Sequence, residues 1–281
     1  MTRYMYLNGT ILLEEQAHIS PLDIGLLRGY AVFDLLRTVG GRPFLLDEHL
    51  ERLHTSARQL GLQVPARDEE IARAIDELLE RNGHEEATVR LVLTGGVSPD
   101  GMAYDPATPT FFILTHDLHE PAPELYERGG RLVTELHHRE LPKAKTTNYL
   151  TMLRNKPRTA AAGALDVLYH DGTLVSETGS ASFYIVSAGC IRAPHKDVLR
   201  GTVGDLVLRL VAGRYQIELG ELRLDEVFAA DEAFVTSTTR GVLPIVEIDG
   251  QTIGDGQVGP VTRELMAIWA RHAFGEGGTQ R

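Results

Sequence analysis

Lysine is scarce in this chain of 281 residues: only Lys143, Lys145, Lys156 and Lys196 are present, and every other basic residue except histidine is arginine. Chemistry that needs a nucleophilic amine is therefore confined to few positions. Three of the four lie in one stretch, LPKAKTTNYLTMLRNK, residues 141–156. Cysteine is scarcer still. The single Cys190 excludes an internal disulfide and a cysteine-based metal cluster, and in SAGCIR it reads as a small hydrophobe at a strand edge. No metal is expected. No apolar run approaches the roughly 18 to 20 residues of a membrane span. The start, MTRYMYLNGTILLEEQ, lacks the basic-then-apolar pattern of a signal peptide. A soluble, cytoplasmic protein without membrane contact is expected. The net charge of −11, with no basic run or arginine stripe, argues against nucleic acid as a partner. An anionic small substrate remains open, because a few arginines in a pocket outweigh a distant negative surface.

What is present is enough apolar material for a substantial core, 43% of residues. YMYLNGTILLEE reads as a hairpin around Asn8-Gly9. DEHLERLHTSARQLGL reads as a helix opening at Asp47 with Leu50, Leu53, Ala57 and Leu60 on one face, and DEEIARAIDELLERNG as a second helix ending at Gly83. ATVRLVLTGG and TPTFFILTHDL follow as strands. The Pro- and Gly-rich stretch 120–130 predicts a linker between a first domain, 1–119, and a second, 131–281. In the second domain, DVLYHDGTLVSE predicts a hairpin around Asp171-Gly172, followed by strand in ASFYIVSAGCIRAP. LRGTVGDLVLRLVAG predicts a helix with Val203, Leu206, Val207 and Leu210 inside, and a last helix spans 258–274 before a polar tail. Mixed strands and helices give an α/β or α+β class.

Four features carry chemistry, and each has a bland alternative. Lys145 is either a solvated charge or a reactive amine displayed at an element end, where burial or a nearby cation lowers its proton affinity. Glu177, in DGTLVSETGSASF, is either an exposed carboxylate after a hairpin or a carboxylate aimed at a pyridinium nitrogen. LRGTVGDLVLRL places a glycine before an amphipathic helix, an arrangement that suits phosphate at the backbone N–H groups; STTRG at 237–241 adds hydroxyls. Arg52 is a further phosphate ligand or a surface residue. Arg28 and Arg90 lie in apolar runs, either as structural ion pairs or as forks for a substrate carboxylate.

Taken together, SPLDIGLLRGYAVFDLLRT, LDEHLERLHTSARQLGL, KTTNYL, DGTLVSETGSASFYIV, VLRGTVGDLVLRL and TSTTRGVLPIVEIDG make the chain resemble the class IV (fold type IV) pyridoxal-phosphate transaminases, from residue 4 to 255. That family includes branched-chain and D-amino-acid transaminases and aminodeoxychorismate lyase. The resemblance implies a small N-terminal α/β domain, a larger C-terminal pseudo-barrel domain and a homodimer acting on amino and keto acids. It implies pyridoxal 5′-phosphate as cofactor, joined to Lys145, which also shuttles the proton. Tyr149 bonds the phenolic oxygen and Glu177 the ring nitrogen. Arg52, the backbone of Thr202 and Val203, and Thr239 with Thr238 hold the phosphate.

Two departures from the family pattern stand out. Ser182 replaces a usual asparagine, and Gly201-Thr202-Val203-Gly204 replaces Gly-Ile-Thr-Arg, which throws more of the phosphate onto backbone N–H groups. Specificity follows from what replaces the familiar carboxylate contacts. GGVSPDG lacks the arginine–histidine trap of the best-known D-amino-acid transaminases, and Arg28 stands where branched-chain enzymes carry an aromatic residue. LRGYAVFD, VRLVLTGGVSPDG and KTTNYL look most like a non-canonical group of D-amino-acid transaminases, in which Arg28 and Arg90 would hold the substrate carboxylate. Arg37, also near the site in relatives, is left without a role.

Overall fold

Asn8 and Gly9 both adopt positive φ, 47° and 93°, the backbone that a two-residue hairpin demands. They join β1 (Tyr4–Leu7) to β2 (Thr10–Leu13) with Leu7 opposite Thr10. The computed structural model describes residues 3–275, in two compact units. The first contains the chain up to His119 together with Lys143–Asn148; the second contains Glu120–Pro142 and the chain from Tyr149 onward.

The first unit continues with α1 (Ile24–Arg28), β3 (Ala31–Val39), β4 (Arg42–Pro43), α2 (Leu46–Gln59), α3 (Asp68–Asn82), β5 (Ala87–Thr94) and β6 (Thr110–Asp117). Its strands form one antiparallel sheet in the order β2-β1-β6-β5-β3-β4. Alternation along β3 and β5 sends Val32, Leu36, Val89, Leu91 and Leu93 to one face. There they pack against Leu50, Leu53 and Ala57 of α2 and Ile71, Ile75 and Leu78 of α3. Each such leucine, fully buried, contributes roughly 1.5–3 kcal/mol. Helices on one side of an antiparallel sheet make this unit α+β. The other face carries Phe33, Leu35 and Arg37 beside their cross-strand partners Val92, Arg90 and Thr88. Residues 143–148 return to this unit: Ala144 joins its core, and Val32 forms an isolated bridge with Thr146.

The second unit comprises α4 (Pro123–Arg128), β7 (Gly130–Leu136), α5 (Leu150–Arg154), α6 (Lys156–Ala161), β8 (Asp166–His170), β9 (Val175–Thr178), β10 (Ser182–Ser187) and β11 (Cys190–Pro194). These are followed by α7 (Thr202–Val211), β12 (Gln216–Gly220), α8 (Leu224–Phe228), β13 (Glu232–Ser237), β14 (Gly241–Ile248), β15 (Gln251–Thr252) and α9 (Pro260–Phe274). The sheet runs β12-β11-β10-β13-β14-β7-β8-β9, with β15 on β14. Its last strand, β9, lies beside β10 and β11, so the sheet curls back on itself. Among the described residues no helix is long and apolar enough to cross a membrane.

Three local expectations change. The stretch 120–130, expected as a linker, carries α4 and opens β7: Pro123 presets the helical φ at its start, and buried Tyr126 donates its hydroxyl to the Arg240 carbonyl at 3.0 Å. Residues 143–148, placed in the second domain by the sequence, fold with the first unit. In α7 Leu210 is only half-buried, and Val211 takes the inward position instead. The polar tail lies outside the described residues.

Candidate active site

Lys145 is fixed through its backbone. Its N–H donates to the hydroxyl of Ser56 on α2 at 3.0 Å, and its carbonyl accepts from the Phe33 N–H at 2.9 Å. Its ammonium Nζ lies 4.7 Å from the centroid of the Phe33 ring, and the Arg90 guanidinium lies 5.1 Å from the same centroid. Both cations thus lie within reach of the same ring. Lys143, Lys156 and Lys196 are all exposed. Only Lys145 is half-buried with both backbone groups engaged.

Arg52, one turn before Ser56 on α2, is not a surface charge. Its Nε donates to Asp34 Oδ2 and its Nη2 to Asp34 Oδ1, both at 2.8 Å. Asp34 is fully buried, and His49 Nδ1 lies 2.7 Å from its Oδ1. Burial alone would raise the Asp34 pKa, but Arg52 and His49 outweigh it and hold the carboxyl well below the usual range. Burial lowers the His49 pKa, against the pull of Asp34. Sequence reasoning misses Asp34 and His49. The signal for them is an acid at the centre of the apolar run AVFDLLR, with a charged helix following.

Arg28 and Arg90 are both exposed, and neither forms an ion pair among the described residues. Arg28 ends α1 and donates from Nε to the Gly101 carbonyl at 3.0 Å. That loop is tied to α1 by Ile24 N–H to Gly96 O and Ser98 N–H to Leu22 O, each 3.0 Å. Arg90 and Lys145 each lie near the Phe33 ring; Arg28 is held at the loop. Arg37 is buried and donates from Nε to the Thr38 carbonyl at 3.1 Å.

In the second unit Glu177 is buried rather than exposed. Arg139 Nε lies 2.9 Å from its Oε1 as an ion pair without hydrogen-bond alignment, while Nη2 donates to the Gly179 carbonyl at 3.1 Å. The Arg139 guanidinium also lies over the rings of Tyr149, at 5.6 Å, and Tyr169, at 5.8 Å. Burial works against its charge, but Glu177, Tyr149 and Tyr169 together leave its pKa raised. Burial pushes the Tyr169 hydroxyl up to about 12. Sequence reasoning misses Arg139 because HHRELP reads as loop, and its partner lies on another strand. Tyr149 caps α5.

At α7 the cap is Gly201, which brings no capping side chain, and Thr202 and Val203 are buried in the first turn. A Cβ on Gly201 would lie 2.4 Å from Ser182 Oγ, and one on Gly204 would lie 2.0 Å from the Tyr184 hydroxyl and 2.9 Å from Thr236 Oγ1. The turn is therefore pressed onto β10 and β13. Thr238 and Thr239 are half-buried in the turn between β13 and β14. Beside them, Ser237 Oγ is buried with no hydrogen-bond partner among the described residues. The turn is braced by Arg240, whose Nη1 donates to Ser180 Oγ at 3.1 Å; Ser180 in turn hydrogen-bonds to buried Asp166 at 2.5 Å. Among the described residues no cluster of three or more His, Cys, Asp or Glu is arranged to hold a metal ion.

Comparison with known proteins places these features in a family. Residues 31–248 match the model for amino-transferase class IV. A Methanocaldococcus jannaschii protein described as a putative branched-chain-amino-acid aminotransferase is 35% identical over 276 residues, covering 93% of each chain. A D-alanine aminotransferase of Staphylococcus epidermidis is 29% identical over 268 residues, covering 93% of this chain and 95% of its own. Among solved structures, the T.th. branched-chain amino acid aminotransferase with pyridoxamine 5′-phosphate has a TM-score of 0.88 at 28% identity, covering 98% of this chain and 95% of the other. The two sheets and their helices are thus those of fold type IV, and pyridoxal 5′-phosphate is the cofactor. With the family model spanning most of its length and a relative of this identity aligned nearly end to end, the chain belongs to the class IV aminotransferases.

Proposed function

We propose that this pyridoxal 5′-phosphate-dependent aminotransferase is a D-amino-acid transaminase. It moves an amino group between a D-amino acid, of the D-glutamate or D-alanine type, and a keto acid such as 2-oxoglutarate or pyruvate, with ping-pong kinetics. The observation that carries the D-amino-acid reading is the Phe33 platform. Arg90 stands with Lys145 on one ring, and no carboxylate among the described residues neutralises Arg90 or Arg28. Guanidinium groups not neutralised in this way suit a substrate carboxylate in bidentate contact.

The residues fit the cofactor. The glycine-capped start of α7 and the unsatisfied hydroxyl of Ser237 suit a phosphate, which Arg52, the Thr202 and Val203 backbone, Thr238 and Thr239 would hold. Tyr149 would meet the phenolic oxygen. Glu177 would hold a proton at the ring nitrogen, with Arg139 compensating its buried charge. When bound, the cofactor supplies an electron-withdrawing ring that makes the substrate Cα–H acidic. Lys145 Nζ would hold the cofactor and would be the base that takes and returns the proton at the substrate Cα. Arg28 and Arg90 would fix which Cα–H faces Lys145.

A second reading, an L-branched-chain transaminase, is favoured by the 35% identity to the M. jannaschii protein. Adding D-glutamate, D-alanine, L-leucine or L-glutamate separately to the yellow reconstituted protein separates the two. Bleaching by the D-amino acids and not by L-leucine is expected. Bleaching by L-leucine alone would overturn the D-amino-acid reading, and pyruvate release from aminodeoxychorismate over many turnovers without an amino acceptor would indicate a lyase. Assembly as a homodimer is part of this proposal. It is supported by the exposed apolar side chains of Leu22 just before α1, Leu26 and Leu27 on it, and Val97 and Met102 on the loop tied to it.

A further inference from the structure

Helix α2 turns one polar face into the interior, with His49, Arg52 and Ser56 at the i, i+3 and i+7 positions that share a side. His49 and Ser56 are at most 1% exposed and Arg52 is half-buried. Such a buried polar face needs a reason, because each polar group costs free energy unless it is paired. His49 and Arg52 are paired by Asp34. Ser56 is different: its hydroxyl accepts from the backbone N–H of Lys145, 89 residues away.

We propose that Ser56 is a positioning residue that sets the distance between Lys145 and the Arg52 guanidinium. The two groups hang from one helix turn, Arg52 by its own side chain and Lys145 through the Ser56 hydroxyl. The carbonyl of Lys145 is fixed by Phe33 on β3, whose neighbour Asp34 holds Arg52. The reactive amine and the Arg52 guanidinium are thus referred to the same two elements. This inference rests on the proposed roles of Lys145 and Arg52. A ligand held at both points gains from the fixed separation, as any two-point attachment does. A ligand held only by the amine does not.

Pyridoxal and pyridoxal 5′-phosphate supply that contrast, since only the second carries the phosphate. The affinity of each for the cofactor-free full chain is read from the absorbance of the linked chromophore, in wild type, Ser56→Ala and Ser56→Thr. Ser56→Ala is nearly isosteric, and alanine is the best helix former, so the fold is retained; circular dichroism checks it. Loss of one hydrogen bond at the anchor is expected to cut the preference for the phosphorylated ligand roughly five- to tenfold, leaving pyridoxal affinity near wild type. Ser56→Thr, which keeps the hydroxyl, restores the preference. Equal weakening of both ligands in Ser56→Ala, or no change in either, overturns the positioning role. A wild type that links neither ligand overturns the underlying assignment of Lys145 instead.

Discussion

Replacing Asp34 by asparagine tests the buried network at its centre. The side chain is fully buried and lies against four nitrogen atoms: Arg52 Nε and Nη2 and the Leu35 backbone N at 2.8 Å, and His49 Nδ1 at 2.7 Å. Asparagine keeps the volume but removes the charge and turns an NH2 toward donors. Breaking one side of a buried ion pair costs roughly 3–5 kcal/mol. The Arg52 side chain is 12% exposed and keeps a little water, which points to the lower end, about 3 kcal/mol. In a chain of this size that lowers Tm by roughly 6–12 °C. Arg52→Gln should cost at least as much, because it leaves a fully buried carboxylate with only His49 and the Leu35 N–H beside it. In the double variant the two introduced side-chain amides can pair as neutral groups, so its cost should fall below the sum of the single costs by about 2 kcal/mol or more. Urea unfolding of the four cofactor-free proteins at pH 7, followed by circular dichroism, measures the cycle. Additivity to within about 0.5 kcal/mol would mean that Asp34 and Arg52 are not coupled, and the description of the network would fail.

Three further outcomes are expected. Because burial lowers the His49 pKa, the unfolded chain takes up a proton below about pH 6.5 that the folded chain refuses. Stability should therefore fall as pH drops from there, and His49→Gln should flatten the curve between about pH 6.5 and 5; identical slopes would contradict a buried neutral histidine. Gly204→Ala drives a methyl into the Tyr184 hydroxyl and should destabilise by roughly 1–3 kcal/mol, with Tyr184→Phe in the same chain recovering part of it; a harmless Gly204→Ala would refute the close packing of α7 on β10. Glu177→Gln should lower kcat by roughly a hundredfold or more while the yellow band survives, and near-normal turnover in the half-reaction assay would remove Glu177 from the site.

Much of this protein is legible in one dimension. The hairpin at Asn8-Gly9 follows from two residues that accept positive φ, and α2 and α3 follow from apolar residues repeating every three to four positions; these are local properties of the chain. The family follows from motifs spread along the whole sequence. With only four lysines present, the proposed role of Lys145 rests on KTTNYL within that family resemblance.

Other features required the tertiary structure. Residues 143–148 leave the second unit to bridge β3 of the first, and nothing in KTTNYL predicts that, because the partner Ser56 is 89 positions away. Arg52 reads as a polar-face residue until Asp34, 18 positions earlier on a strand, takes its guanidinium inward. Arg139 reads as loop until β9 presents buried Glu177 to it. Periodicity reports which face of an element is apolar, and it therefore foretells elements and cores. Pairing between buried charges depends on which elements the fold stacks together, and no local pattern encodes that choice.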